Sequence, residues 1–411
     1  MQHPTKTRQR HSRTISYPAF VRLAIIIFIL TLTIPSRAQW EIEDSHTNAS
    51  LRGIDNVGNG IAWASGTNGT ILHTQDNGDH WKLCAIPPGA EKLDFRGIQA
   101  FDANTAIVMS SGKGDLSRLY KTTDGCQTWK LVFTNPDKEG FWDAVKFVTR
   151  SQDELGHPFS HNLASGYVLG DPVDGAFALF QSMDGGDSWS RKLVTKKRTK
   201  TVNCKIDSYP AKVKETVFAA SNQSLLNFNP FIIFITGGTV ARLSYTDHFD
   251  LDFAFCHDFA RFITLPMAHG NASSGAFAIA VTDNHQFFPL RLMVVGGDYQ
   301  RPEDTHGNSV FVASRDGFHI PFTSYFDVIT PTTPPHGFRS AVAYDAPQKL
   351  WITVGPNGTD ISRDDGRNWT PLKPTKEDAP DADKNWNALS LPFVVGPNGR
   401  IGKLRPTALT P

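Results

Sequence analysis

The sequence predicts an all-β fold, a seven-bladed β-propeller of four-stranded antiparallel blades. Three observations support it: an eight-residue turn motif recurs, a strand–turn–strand phrase occurs seven times, and a further short strand precedes each phrase. Repeats of roughly 40–60 residues that each hold four antiparallel strands are typical of propeller blades. Glycine-rich and proline-rich turns between short apolar runs fit the same architecture.

The turn motif reads Ser/Thr-x-Asp-x-Gly-x-x-Trp. It is complete at residues 74–81, 182–189 and 362–369, and at 122–129 Cys126 stands in place of the glycine. The hydroxyl and the carboxylate can bond the turn's own N–H groups, and glycine accepts a positive φ. This pattern is the Asp-box, and weaker copies start near Ser244 and Ser314. We therefore predict structural roles for eight residues: Asp76, Trp81, Asp124, Trp129, Asp184, Trp189, Asp364 and Trp369.

The remaining strands of each repeat follow in a fixed order. The strand–turn–strand phrases begin at Ile61, Ala106, Tyr167, Phe231, Leu292, Leu350 and Pro392. The preceding inner strands begin at Leu51, Phe95, Phe141, Val217, Ala276, Gly337 and Trp386. The seventh unit lacks an outer strand, whereas residues 40–43 form a strand without a hairpin partner. We predict that this N-terminal strand completes the last blade, which removes exposed sheet edges.

Residues 1–38 read as a targeting segment. Lys6, Arg8, Arg10 and Arg13 form a positive region before an apolar run at 23–34, and Ser36-Arg37-Ala38 places small residues where a signal peptidase cleaves. The apolar run is shorter than the roughly 20 residues of a membrane span. We predict a signal peptide at 1–38, a single propeller domain at 39–411 and a secreted or periplasmic location. An uncleaved anchor remains the alternative, and would be the chain's only membrane contact.

Composition and missing motifs limit the possible partners and cofactors. The net charge of +1 gives no electrostatic reason to expect nucleic acid as a partner. The chain has no P-loop, no GxSxG elbow and no metal-ligand spacing, and it lacks the helical periodicity that a dinucleotide-binding fold needs. We therefore expect a monomer without cofactor or metal.

The four cysteines are widely spaced. Cys84 and Cys126 lie in consecutive repeats and are the first pair to test for a disulfide, which an exported protein can keep. Isolated buried thiols are the alternative, and Cys204 and Cys256 offer no further pattern.

The Asp-boxes, the glycine-rich second turns and the leader segment resemble the photosystem II stability/assembly factor-like family, within the wider group of BNR/Asp-box propellers. The resemblance covers residues 40–404. It implies a propeller that binds a partner protein, as the assembly chaperones of that family do. The Asp-box itself is not specific to one function, because sialidases, sortilin-type receptors and xyloglucan-degrading enzymes share it.

Polar residues on the inner strands are the candidate site, because those strands converge on the central channel. Arg52, Arg96 and Arg339 take similar places in LRGI, FRGI and GFRS, and Asp143 and Asn387 stand at the same place in FWDA and WNAL. Three arginines could hold an anionic ligand through paired hydrogen bonds. Alternatively, each arginine packs against a neighbouring blade and bonds carbonyl groups.

Two functions follow from these candidates. The first is a non-enzymatic exported scaffold that binds a protein, a peptide or a small anion at the channel mouth. The second is a sialidase-like or other carbohydrate-active hydrolase, because three arginines in an Asp-box propeller resemble the sialidase arrangement. Against it, Arg52 and Arg96 are followed by glycine rather than by the sialidase Ile-Pro, and Tyr299 and Tyr344 are nucleophile candidates by residue type only.

Overall fold

A computed structural model describes residues 39–148, 165–192, 209–227, 232–248, 258–282, 290–314, 326–376 and 378–409. The predicted signal peptide, Cys204 and Cys256 lie outside these ranges, as does the weak turn motif beyond Ser314. Among the described residues, no helix has the length and apolar character needed to cross a membrane.

Thirty strands and two short 3₁₀ helices (Gly114–Leu116 and Pro406–Leu409) make up the described secondary structure. In chain order, the strands are β1 Trp40–Glu43, β2 Leu51–Gly58, β3 Ile61–Gly66, β4 Ile71–Thr74, β5 Lys82–Leu83, β6 Phe95–Ala100, β7 Ala106–Ser110, β8 Arg118–Thr122, β9 Lys130–Thr134, β10 Trp142–Phe147, β11 Gly166–Val173, β12 Ala176–Ser182, β13 Ser190–Arg191, β14 Glu215–Thr216, β15 Leu225–Asn227, β16 Ile232–Ile235, β17 Gly237–Gly238, β18 Arg242–His248, β19 Asp258–Thr264, β20 Ser274–Val281, β21 Arg291–Asp298, β22 Ser309–Ser314, β23 Phe326–Ile329, β24 Ala341–Asp345, β25 Leu350–Gly355, β26 Gly358–Ser362, β27 Thr370–Pro371, β28 Ala388–Ser390, β29 Phe393–Val395 and β30 Ile401–Leu404.

These strands form seven antiparallel blades, which confirms the predicted fold class. Blades 1, 2, 3 and 6 are β2–β5, β6–β9, β10–β13 and β24–β27, and blade 4 is β15-β16-β18-β19. Blade 5 is β20–β23, extended by β17 and β14 into a six-stranded sheet. Blade 7 is β28-β29-β30-β1, in which Trp40 pairs with Leu404. The N-terminal strand therefore closes the propeller, as the unpaired strand predicted.

Hydrophobic clusters fill the spaces between neighbouring blades. The described residues form seven of them, one at each blade junction. Leu51 of blade 1, for example, packs with Phe393 of blade 7, and Phe95 of blade 2 packs with Trp63 of blade 1. Each blade is a twisted sheet that contacts only its two neighbours. Its faces therefore bury apolar surface only against those neighbouring blades.

Two predicted elements are wrong. Residues 217–221 were expected to form the inner strand of blade 4, but that strand is Leu225–Asn227, and residues 217–224 run outside any strand. The weak turn motif near Ser244 lies inside β18, a continuous seven-residue strand paired with β19. In both places a short sequence pattern resembled an element of the repeat. The strand pairing, β15 with β16 and β18 with β19, determined the structure instead.

A disulfide joins Cys84 to Cys126. Cys84 follows β5 of blade 1, and Cys126 lies in the Asp-box turn of blade 2, so the bond ties two neighbouring blades together. This is the pair that the repeat spacing put first.

Candidate functional site

The two ends of the propeller carry different turns. On one end, the Asp-box turns of blades 1 and 2 contact the first hairpin turn of the same blade, where Asn77 N donates to Gly60 O (2.9 Å) and Gly125 N to Asn104 O (3.0 Å). On the other end, the turn between the second and third strands lies beside the start of the inner strand, where Thr67 N donates to Ser50 O (3.1 Å). We call this second end the mouth. Arg52, Arg96 and Asp143 all lie near it, away from the Asp-boxes.

The Asp-box side chains are engaged within their own turns. In the three complete motifs and in the copy at 122–129, the first hydroxyl accepts from the N–H at the glycine position. The aspartate accepts from the N–H of the residue four positions later. In each turn, the residue at the glycine position and the residue before it have positive φ. Cys126, which takes the glycine position, has a φ of 66°. Trp81, Trp129 and Trp369 are buried and Trp189 is half-buried. Asp76, Asp124, Asp184 and Asp364 therefore hold turns at the periphery of the blades.

Hydrogen bonds also fix the ionisation of these carboxylates. Bonds from His80, Thr128 and Ser188 lower the pKa of Asp76, Asp124 and Asp184 to about 2. Burial raises the pKa of Asp364, but hydrogen bonds from Asn368 outweigh it and the pKa is lowered. Carboxylates that are ionised and already bonded in this way are poorly suited to act as general acids.

Arg52 and Arg96 come together at the mouth on the inner strands of blades 1 and 2. Each occupies a β-bulge, between the paired residues Leu51 and Gly53 and between Phe95 and Gly97. Arg96 Nε donates to Asp94 Oδ2 (2.8 Å), and Arg52 Nε lies 3.8 Å from the same oxygen. Two guanidinium groups, about a third exposed, thus share one carboxylate. Burial and the neighbouring Arg96 lower the pKa of Arg52.

Asp143 occupies the same bulge in blade 3, between Trp142 and Ala144, but it is 1% exposed. Its Oδ2 has no hydrogen-bond partner within the described part of the chain. Burial and then the nearby Asp171 raise the pKa of Asp143 well above its ordinary value, and burial also raises the pKa of Asp171. Asp143 is therefore a poor counter-charge for the two arginines.

We predict that Asp143→Asn stabilises the protein by about 1 kcal/mol at neutral pH, since it removes a buried acid beside Asp171. A raised native pKa costs stability only above the unfolded pKa of about 4, because the native state there binds the proton more tightly than the unfolded chain. The gain should therefore disappear in more acidic buffer. Urea unfolding across a pH series measures it, and a variant less stable than wild type at neutral pH would contradict the assignment.

Arg339 does not join Arg52 and Arg96, and this part of the predicted ring is wrong. Arg339 N donates to Gly296 O of blade 5, just as Leu51 N donates to Gly396 O of blade 7. Arg339 is thus the counterpart of Leu51, Phe95 and Trp142, and Ser340 is the counterpart of Arg52. A shift of one residue turns a side chain to the other face of a strand. Arg339 consequently lies between blades rather than at the mouth.

The Arg339 side chain is fully buried and paired with the Asp360 carboxylate of β26. Its Nη1 donates to Phe338 O (2.8 Å) and Asn357 Oδ1 (2.6 Å), and His336 Nδ1 lies 2.7 Å from Asp360 Oδ1. With its donors engaged inside the protein, Arg339 cannot meet a ligand at the mouth. The three-arginine arrangement that suggested a sialidase-like hydrolase is therefore not assembled.

Asn387, the candidate of blade 7, has the same register as Arg52 and is half-buried. Its Nδ2 donates to Leu51 O (2.8 Å) in blade 1. Asn387 thus links the first and last blades at the mouth and keeps its amide oxygen and its second amide hydrogen for other contacts.

The segment of residues 217–224 was not recognised from the sequence as part of the site, although it crosses the channel. Asp171 Oδ1 accepts from Val217 N (3.0 Å), and Arg96 Nη1 contacts Ala219 O (3.5 Å). Deeper in, Asn222 bonds blades 2 and 3, and Gln223 bonds blades 6 and 7. We call residues 217–224 the crossing segment. It forms a floor beneath the mouth.

An aromatic cluster begins at Phe218, the residue before Ala219, whose carbonyl oxygen accepts from Arg96. Phe218 of the crossing segment stacks on Phe277 with ring centroids 3.8 Å apart, and Phe277 occupies the bulge position of blade 5. Phe338 and the half-exposed Tyr299 pack against Phe277. Gly237 and Gly275 leave room for the Phe218 ring, since a Cβ on either would approach it within 3.0 Å. These two glycines are the sequence feature that could have indicated a close-packed aromatic side chain at this place.

Comparison with solved structures shows the same architecture elsewhere. The structure "YCF48 bound to D1 peptide" matches with a TM-score of 0.54 and 14% identity, covering 90% of this chain and 97% of that one. "YCF48 from Cyanidioschyzon merolae" matches with a TM-score of 0.50 and 17% identity, covering 90% of this chain and 100% of that one. The shared feature is the fold. No protein-family model and no curated protein matches the sequence.

Proposed function

We propose that the chain is an exported, non-enzymatic scaffold of the assembly-factor kind, which binds an acidic segment of a peptide or protein partner at the mouth. The observation that carries the proposal is that Arg52 and Arg96 share the single carboxylate of Asp94. One negative charge cannot balance two guanidinium groups, so the pair retains a positive charge at the mouth. The Arg52 side chain is 31% exposed, so a ligand carboxylate can approach its guanidinium group from the mouth.

The surroundings of the arginines favour a peptide over a free inorganic anion. The aromatic cluster beside them offers an apolar surface of Phe218 and the half-exposed Tyr299. A peptide can place a carboxylate on the guanidinium groups and an apolar side chain on the rings, and aromatic and arginine side chains dominate the energetics of such interfaces. The crossing segment is anchored to several blades, so the mouth needs little ordering before it binds.

A peptide partner also agrees with the similar structure that carries one, "YCF48 bound to D1 peptide". Export is supported by two features of this chain. The basic and apolar residues of 1–38 have the order of a signal peptide. The Cys84–Cys126 disulfide is of a kind that persists outside the reducing cytosol.

The test replaces both arginines at once. Arg52→Gln with Arg96→Gln should weaken binding of a fluorescein-labelled, glutamate-rich peptide at least tenfold, because a hydrogen bond to a charged group contributes about 1.5–3 kcal/mol. Fluorescence anisotropy measures the affinity, and added salt should weaken wild-type binding. Arg301→Gln is the matched control, because its exposed guanidinium already bonds Asp298. Unchanged affinity in a folded double variant would rule out this site.

A further inference from the structure

A second ring of side chains lines the channel beyond the crossing segment. Each inner strand contributes one residue, which takes the same pairing position with the second strand in every blade. Asp55 pairs with Trp63 in blade 1, and Lys146 pairs with Tyr167 in blade 3. The seven members are Asp55, Gln99, Lys146, Leu226, Ala280, Ala343 and Ser390. All seven are partly exposed, whereas the residue preceding each one is buried. We call this set the channel ring.

The crossing segment closes the channel ring on the side of the mouth. Its hydrogen bonds end on the residues immediately before five ring members. Asn222 bonds Ile98 O (3.0 Å) and Val145 N (2.8 Å), while Gln223 bonds Ile279 N (2.8 Å), Val342 N (3.0 Å) and Leu389 O (3.0 Å). The crossing segment therefore lies between the arginines and the stretch of channel that the ring lines, which we call the chamber.

The chamber wall is divided by polarity. Blades 7, 1, 2 and 3 supply Ser390, Asp55, Gln99 and Lys146, which are polar or charged. Blades 4, 5 and 6 supply Leu226, Ala280 and Ala343, which are apolar. Two of the three apolar members are alanines, which have the smallest side chains of the ring.

The two charges of the ring are near each other but not paired. Asp55 Oδ2 accepts from Gln99 Nε2 (2.8 Å) and from Ala100 N (2.7 Å), and Oδ1 has no partner among the described residues. Lys146 Nζ likewise makes no hydrogen bond or ion pair with any described residue, although its charge interacts with that of Asp55. Burial lowers the pKa of Lys146 and raises that of Asp55. An ammonium that is largely removed from water and has no hydrogen-bonded partner is costly, and a ligand carboxylate would offset that cost.

We propose that this chamber binds a small zwitterion, an α-amino acid with a short aliphatic side chain. The ligand carboxylate accepts from Lys146 Nζ, and the ligand ammonium donates to Asp55 Oδ1. The side chain faces Leu226, Ala280 and Ala343. The site does not depend on the arginines or on a peptide partner.

Calorimetric titration of the full chain with L-alanine tests the proposal, with acetate and ethylamine as probes that carry one charge each. We expect one alanine to bind per chain, and each single-charge probe to bind at least tenfold more weakly. Lys146→Met and Asp55→Asn should each weaken alanine binding at least tenfold. Lys121→Met is the matched control, because Lys121 pairs with Asp187 at the surface. At alkaline pH, wild-type binding should take up protons, since a bound carboxylate raises the pKa of Lys146, and Lys146→Met should lose this uptake.

A variant that leaves both charges intact guards against misfolding as an explanation. Ala343→Phe should fill the apolar side of the chamber and abolish alanine binding while the far-UV spectrum and the unfolding midpoint stay close to wild type. The proposal is overturned if wild type binds no alanine at millimolar concentration, if acetate binds as tightly as alanine, or if Ala343→Phe and Lys146→Met retain wild-type affinity. None of these results bears on peptide binding at the mouth.

Discussion

Asp360→Ala is expected to lower the free energy of unfolding by about 3–5 kcal/mol, because it leaves the Arg339 guanidinium buried without its counter-charge. Arg339 is 0% exposed, and Asp360 is the only carboxylate that the described residues bring into an ion pair with it. The remaining partners are the neutral oxygens Phe338 O and Asn357 Oδ1 and the ring nitrogen His336 Nδ1, none of which carries a negative charge. Urea unfolding followed by tryptophan fluorescence measures the loss.

Arg52→Ala is the matched control for that experiment. Its guanidinium is 31% exposed and lies 3.8 Å from Asp94, which keeps Arg96 as a partner. We expect a loss of less than about 1 kcal/mol, as for other solvent-accessible ion pairs. Equal losses in the two variants would contradict the one-residue difference in register between Arg339 and Arg52.

That difference in register is what the sequence motif could not reveal. GFRS and LRGI both contain an arginine and a glycine, but glycine directly follows Arg52, whereas it precedes Arg339 by two positions. In blades 1, 2 and 3 the bulge residue is Arg52, Arg96 and Asp143, whereas in blade 6 the same place falls on Ser340, one residue after the arginine of the motif. The pairing with the second strand, from Gly66 or Gly355 backwards, identifies the true counterparts.

The architecture was predictable because its signals are local. An Asp-box turn is held by bonds between residues two to four positions apart, such as those among Thr74, Asp76 and Gly78. Closure by β1 followed from counting strands in the last repeat. Both inferences use short-range patterns, which a sequence records directly.

The crossing segment was unpredictable for the opposite reason. Its contacts join residues far apart in the chain: Asn222 to Ile98 and Val145, and Ser221 to Ser340. Its apolar start, Val217-Phe218-Ala219, resembles a strand, and nothing within the segment indicates that it leaves the blade. The aromatic cluster and the ceiling of the channel ring both depend on it, so neither could be assembled from sequence.

Asn222→Ala is expected to lower the free energy of unfolding by about 3–5 kcal/mol, since each buried backbone group that loses its partner costs about 1–3 kcal/mol. Two such groups are affected, Val145 N and Ile98 O, in two different blades. Asn222 also has a φ of 60°, which asparagine tolerates better than alanine. Chemical unfolding again measures the change.

Two variants separate the hydrogen bonds from the backbone cost in that loss. Asn222→Gly removes the same two bonds but accepts the positive φ, so it should remain well below wild-type stability. Asn59→Ala, at an exposed turn with a φ of 52°, carries the backbone cost alone and should lose only about 1 kcal/mol. If Asn222→Gly is as stable as wild type, the crossing segment is not anchored through this side chain. The floor of the mouth and the ceiling of the channel ring would then need another support.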